Sequence, residues 1–322
     1  MVHDLRSEAM VRIPPFRDAH VHFLREGKPL REGELQEIPP ACRSAGILYV
    51  EDMGHKSGIG LQAKDLLKRD LCVRSSGYAL SRKGTYGAFL GRALGGAAEI
   101  GRAVREIAAA GADFIKVIQS GIVCAGGDRT VTKGGFSSGE LRVLCSEAGE
   151  RGLPVACHAN SDEAIRSAVL AGVSSIEHGF FVSEETLHLM RERRVSWTPT
   201  AIALLGIVPL FAPSERRCIE GVVEGHLRSL SLAASLGIPL RVGTDSGSRC
   251  IHYGESFFDE MQLFRKAGLS REQVLAAACV DRAEAGEGNY LMVREDFIET
   301  RRIEAVFREG KRVSTGLAGI QE

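Results

Sequence analysis

The chain of 322 residues contains no Cys-x-x-Cys pair. Its eight cysteines are scattered, which argues against a zinc knuckle or a small disulfide scaffold and suggests mostly buried thiols in a reducing compartment. There is also no excess of charge. Forty-one basic and 41 acidic residues cancel, so no global field draws the protein to nucleic acid or an anionic membrane. The opening MVHDLRSEAM has no apolar signal core, and the longest apolar run, 201–213, falls short of the ~20 residues a membrane helix needs. The expected compartment is the cytoplasm. No linker rich in Pro, Gly or Ser divides the chain. What is present is a composition of 44% hydrophobic and 25% charged residues, enough for a large core in one big α/β domain or two ordinary ones.

Short apolar runs alternate with amphipathic segments along the chain. The runs predict strands at 16–22, 47–52, 71–78, 114–118, 154–158, 175–178, 195–198 and 240–244. Between them, Leu141, Leu144 and Ala148 recur at helical spacing. Ser183 caps a second helix, with Val182 and Leu187 placed as a hydrophobic staple, and Ser270 to Gln273 forms a capping box opening a third. Eight strands with intervening helices predict an α/β fold of (β/α)8 TIM-barrel type, favoured over an open doubly wound sheet. After about Gly286 the pattern changes to strand-like 290–293 and 303–307. The expected division is therefore a barrel at 1–285 and a short C-terminal β extension at 286–322 packed on it.

Lys116 is the anomaly within this pattern. It lies in the apolar strand Phe114-Ile115-Lys116-Val117-Ile118, where an unpaired ammonium is costly to bury. Either the side chain escapes at a strand end or chemistry changes it, for instance by carboxylation to a carbamate that can bridge two metal ions. Its surroundings bear on the choice. His20 and His22 stand two apart and project to the same face of strand one. His158 and His178 end strands five and six, and Asp245 follows strand eight, all at the C-terminal rim where barrel enzymes build their sites. Taken singly, each has a plain reading as a packed histidine, a surface lysine or a turn-forming aspartate. Taken together they suit zinc or another divalent ion, with a position left for a water that ionises near neutral pH.

Asp18-Ala19-His20-Val21-His22, Gly111 to Lys116, Val155 to Ala159, Ser175 to Gly179 and Gly243-Thr244-Asp245 closely resemble the amidohydrolase superfamily of metal-dependent hydrolases. The lysine context resembles the branch of Xaa-Pro dipeptidases and imidazolonepropionase-like proteins. That resemblance implies a binuclear site holding two divalent ions, with zinc expected. His20 and His22 would hold the first, His158 and His178 the second, and carboxylated Lys116 would bridge them, using carbon dioxide. Asp245 would ligate the first ion and serve as general base. The implied activity is hydrolysis of an amide-type C–N bond in a small molecule, such as an N-acyl amino acid, dipeptide or aryl amide, by metal-bound hydroxide. The alternatives are a lactone, ester or phosphotriester hydrolase on the same centre, and a binding-only barrel without turnover.

The departures from the family pattern also carry information. Few residues precede His20, so the β-sandwich that usually accompanies this barrel is expected to be reduced or absent. Ser161 stands where deaminases of the superfamily carry a glutamate, which disfavours deamination. Lys83-Gly84-Thr85-Tyr86-Gly87 replaces a Thr-Gly-Gly-His-Gly loop, so Tyr86 stands where a histidine would face substrate. Tyr86, Arg129, Lys133, Arg249, His252 and Tyr253 follow strands three, four or eight and are candidate contacts to a substrate carboxylate or carbonyl. His3, His55, His188 and His226 have no supporting spacing and receive no role. Cys157 is expected in the helix-facing core. The apolar 201–212 segment could be a lid or wall for a hydrophobic substrate, a buried helix or a subunit contact. A small-molecule substrate is the expected partner, with no nucleic acid or membrane and with a homo-oligomer open.

Overall fold

The computed structural model describes residues 10–25, 27–124, 131–132 and 134–313. A short strand β1 (Val11–Ile13) leads into β2 (Phe16–Val21), and a two-residue hairpin follows, β3 (Leu24–Arg25) with β4 (Lys28–Pro29). Strands β5 (Ile47–Asp52) and β6 (Cys72–Ser75) join β2 in a parallel sheet ordered β2-β5-β6. A second parallel sheet contains β7 (Ala79–Arg82), β8 (Gly91–Leu94), β9 (Ile115–Ile118), β10 (Val155–Ala159), β11 (Ser175–His178) and β12 (Ser196–Thr198), in the order β12-β11-β10-β9-β7-β8.

Two backbone seams join these sheets into a barrel. At one, Asp113 N donates to Ser75 O at 2.9 Å. At the other, residues 239–246 lie between β12 and β2 and bond to both: Trp197 N to Pro239 O (2.9 Å) and Arg241 N to Trp197 O (2.9 Å) on one side, Ala19 N to Val242 O (2.9 Å) and His22 N to Ser246 O (2.8 Å) on the other. The eighth barrel position is therefore filled by hydrogen-bonded chain and not by the regular strand expected at 240–244. Its irregularity has a local cause. Asp245 takes a left-handed φ of 63°, which interrupts a ladder. Gly243 packs so close that an added Cβ would sit 2.4 Å from Thr198 Cγ2 and 2.9 Å from His20 Cβ, so no larger residue fits.

The run expected as one strand at 71–78 is divided as well. Cys72–Ser75 pairs with β5, whereas Ala79–Arg82 crosses to pair with β9, Ala79 opposite Lys116. Between them Gly77 adopts φ 72° and its N–H donates to Ser75 Oγ at 2.9 Å. A Ser-Gly turn has overridden an otherwise apolar run.

Helices cover the barrel as the apolar periodicity requires. In Ala97–Ala109 the residues Ile100, Val104 and Ile107 are buried, and in Ser138–Gly149 so are Leu141, Leu144 and Ala148. Ser183 caps Glu184–Arg193 by accepting from Thr186 N, and the Ser270 capping box opens Arg271–Ala278. Beyond the barrel, β13 (Tyr290–Val293), β14 (Ile303–Arg308) and β15 (Lys311–Val313) form an antiparallel sheet with β1, ordered β1-β13-β14-β15. Val11–Ile13 thus lies with the residues expected to form the C-terminal extension, and the accompanying sheet is small. Among the described residues no helix is long and apolar enough to cross a membrane.

Candidate active site

The C-terminal ends of the barrel strands open onto a cavity of about 580 Å³. His20, His22, Lys116, His158, His178 and Asp245 all line it, as do Tyr86 and Arg249. Alternation along β2 explains the first pair, since Asp18, His20 and His22 share one face. Asp18 does not reach the cavity. It closes the barrel seam instead, accepting from Thr244 Oγ1 at 2.6 Å and from Thr244 N at 3.0 Å.

Each imidazole is oriented by a partner on one nitrogen. His20 Nδ1 meets Glu177 Oε2 at 2.8 Å, and Glu177 in turn accepts from Ser175 Oγ at 2.6 Å. His22 Nδ1 donates to Gly54 O at 3.0 Å, and His178 Nδ1 pairs with Thr200 Oγ1 at 2.6 Å. These bonds leave Nε2 of all three rings for a ligand. His158 is the reverse case: its Nε2 lies 3.1 Å from Gly121 O and 3.2 Å from Asn160 Nδ2, which leaves Nδ1. Ring centroids of His158 and His178 are 4.5 Å apart, and those of His20 and His178 are 4.9 Å apart. Asp245 Oδ1 reaches both sides of the first pair, at 3.5 Å from His20 Nε2 and 3.4 Å from His22 Nε2. Ligand atoms of His20, His178 and Asp245 lie within 4.8 Å of one another.

Electrostatics prepare these groups as ligands. Burial, reinforced by nearby Lys116, lowers His22 and His158 to about 3 and drops His20 and His178 well below the ordinary histidine value. The rings are therefore neutral, with lone pairs available. Burial pushes the Asp245 carboxyl up to about 7, against the opposing pull of Lys116. Lys116 itself is 1% exposed, and its cross-strand partners are Ala79 and Ala156, small residues that leave room for a long side chain. Burial lowers its pKa, which favours the neutral amine. Lys116 Nζ and His20 Nε2 are both buried without a hydrogen-bond partner. Orphaned buried donors and acceptors of this kind are costly, and a divalent cation would give His20 Nε2 the partner it lacks.

Backbone strain gathers at the same place. His178 (φ 68°), Thr200 (φ 48°) and Asp245 (φ 63°) all take left-handed conformations disfavoured for residues with a Cβ. Thr200 is held by its neighbours. His226 Nε2 donates to Pro199 O at 3.0 Å, and the Glu260 carboxylate accepts from Ala201 N and Ile202 N at 2.9 and 2.7 Å. His226 and Glu260 are both fully buried.

Two expected substrate contacts lie elsewhere. Tyr253 does not line the cavity, because its hydroxyl is turned into the backbone and donates to His22 O at 2.5 Å. His252 is exposed outside the lining, its N–H donating to Ser256 Oγ at 2.9 Å. Arg129, Lys133 and His3 lie outside the described residues. The apolar 201–212 segment forms one wall of the cavity through Ala203, Leu204, Ile207 and Phe211. Sequence reasoning missed Glu177 and Thr200. Glu177 left a signal, a carboxylate in an otherwise buried strand two residues after Ser175, but Thr200 acts through a turn that spacing does not reveal.

The amidohydrolase family profile matches residues 12–286. The chain belongs to the amidohydrolase family. An ochratoxinase of Aspergillus niger is 27% identical over 239 residues, covering 72% of this chain and 47% of that protein, so the chain spans about half the length of that curated relative. An uncharacterised Mycobacterium tuberculosis protein is 28% identical over 280 residues, covering 84% of this chain and 72% of its own. Among solved structures, a Xaa-Pro dipeptidase with bound methionine superposes with a TM-score of 0.80 at 22% identity, covering 94% of this chain and 87% of that one. The A. niger ochratoxinase crystal structure gives 0.76 at 20% identity, covering 94% and 83%. These structural likenesses support the barrel fold. Ser161, three residues after His158, is used as a helix cap, accepting from Ala164 N.

Proposed function

We propose that the protein is a metal-dependent hydrolase that cleaves an amide-type C–N bond of a small molecule. The observation that carries this reading is the buried, partnerless Lys116 Nζ among four neutral imidazoles and Asp245. Two divalent ions fit this donor set, His20 and His22 serving one and His158 and His178 the other, with Asp245 as a further ligand. Zinc is the expected metal. A desolvated neutral amine can add carbon dioxide: its nitrogen lone pair forms an N–C bond, a proton leaves, and Lys116 becomes a carbamate whose oxygens could serve both ions. When bound, the metals would supply Lewis acidity toward a substrate carbonyl and acidify water.

The remaining chemistry belongs to the chain. Asp245, whose Oδ1 lies 3.5 Å from His20 Nε2 and 3.4 Å from His22 Nε2, is placed to accept a proton from the attacking water and return it to the leaving amine. Tyr86 keeps its phenolic proton because burial raises its pKa, so it can donate to a carbonyl oxygen. Glu177 and Thr200 hold His20 and His178 in orientation. Metal analysis tests the reading: about two ions per chain are expected in the wild type, with loss of one in Lys116→Ala. A protein that binds no divalent metal and gains no amidase activity on adding zinc or manganese would sink it.

A further inference from the structure

Aromatic residues make up 6% of the chain, yet four of the side chains lining the candidate cavity are Tyr86, Phe89, Phe180 and Phe211. Phe180 belongs to the main hydrophobic core, but Phe89 does not. Phe89 is 48% exposed although it lies against the cavity, and Ile122 beside the opening is 46% exposed. Large apolar side chains scattered over a surface need no explanation, but a concave cluster around a polar floor marks a ligand site. The rings also contact one another and the floor. Tyr86 and Phe89 meet edge to face at 5.4 Å, and Tyr86 lies 5.8 Å from the His158 ring. Phe180 is packed from behind by His226 at 4.5 Å, which fixes its position.

We infer that the substrate carries an aromatic group, received among Phe89, Ile207 and Phe211 of the cavity wall. The inference deepens the hydrolase reading above and rests on it for the bond cleaved. The volume of about 580 Å³ admits a fused bicyclic ring together with a small amino acid. Burying an aromatic face against these side chains removes apolar surface from water on both partners, a gain that a small acyl group cannot offer.

The test uses the full chain loaded with zinc. Rates of hydrolysis are measured for N-(2-naphthoyl)glycine, N-acetylphenylalanine and N-acetylglycine, and binding of 2-naphthoate and acetate is followed by titration calorimetry. At least one aromatic amide is expected to exceed N-acetylglycine in kcat/KM by roughly a hundredfold, and naphthoate to bind at least about tenfold tighter than acetate. Phe211→Ala and Phe89→Ala should each weaken naphthoate binding several-fold while metal content stays at the wild-type level. Amide hydrolysis with no preference for the aromatic probes, or naphthoate binding no tighter than acetate, overturns the inference while leaving the hydrolase reading intact. Tight naphthoate binding that depends on Phe211, with none of the amides cleaved, supports the aromatic site and overturns the hydrolase reading alone.

Discussion

The floor and the rim of the cavity are built by opposite rules. On the floor every candidate imidazole is buried, neutral and held through one ring nitrogen by a named partner: Glu177, Gly54, Thr200, or Gly121 with Asn160. On the rim Phe89 and Ile122 stand half in solvent. The floor spends stability on strain and buried polarity to fix a few atoms, whereas the rim leaves apolar surface unburied. Sites that do chemistry need the first kind of order, and sites that accept a ligand's bulk can use the second. The comparison makes a definite claim: floor substitutions should damage metal binding or turnover, and rim substitutions should alter affinity for substrate with little effect on the fold.

The largest effect is expected from Asp245→Asn. The side chain keeps its shape but loses a carboxylate, so turnover should fall roughly a hundredfold to ten-thousandfold while circular dichroism and the thermal midpoint stay near wild type. If turnover persists at the wild-type rate, proton transfer lies with another group. Next comes Glu177→Gln, which weakens the bond that orients His20 without touching the cavity. Metal affinity, measured by competition with a chelator, should drop about 10–100-fold. Unchanged affinity would mean that packing alone orients the ring.

A smaller effect concerns Glu260, which ties the rim wall to the floor by accepting from Ala201 N and Ile202 N, next to Thr200. Burial raises its pKa from the ordinary 4.5 to about 8, outweighing the two backbone N–H groups that favour the charge. Between those values the native state keeps a proton that the unfolded chain has released. Its contribution is therefore fully present below about pH 4.5 and is lost as pH rises through 8. Denaturation midpoints measured from pH 5 to 9 should show wild type losing stability relative to Glu260→Gln across that window. Parallel curves would show that the carboxylate is already ionised at the low end.

Much of this was legible in the chain because strand ends and ligand spacing are local properties. The observed β5 and β11 span the expected 47–52 and 175–178, and the alternation of Asp18, His20 and His22 already set one face of β2. What escaped depended on contacts distant in sequence. Whether 71–78 stays one strand is decided by Ala79 finding Lys116, and the irregularity of 240–244 by Gly243 meeting Thr198 and His20. Tyr253 follows the eighth barrel segment as a rim residue should, yet its hydroxyl serves the backbone of His22 and Leu24. A single sequence shows where a side chain stands along the chain but not which of two nearby surfaces it faces.

The smallest expected effect tests the rim most directly. Phe89 already exposes 48% of its surface, so Phe89→Ser loses part of a ring's burial and the edge-to-face contact with Tyr86, and should cost only about 0.5–1.5 kcal/mol. Leu204 lines the same cavity but is only 6% exposed, and it packs into the main hydrophobic core as part of the helix Ala201–Leu205. Leu204→Ala should therefore cost about 2–5 kcal/mol, the usual price of a core cavity. Both variants line one pocket, so urea denaturation of the pair separates two accounts of the rim. If Phe89→Ser destabilises as much as Leu204→Ala, the exposed rings are structural and the rim is an extension of the core. If only Leu204→Ala does, the free energy of burying Phe89 is still available to be released when a ligand covers it.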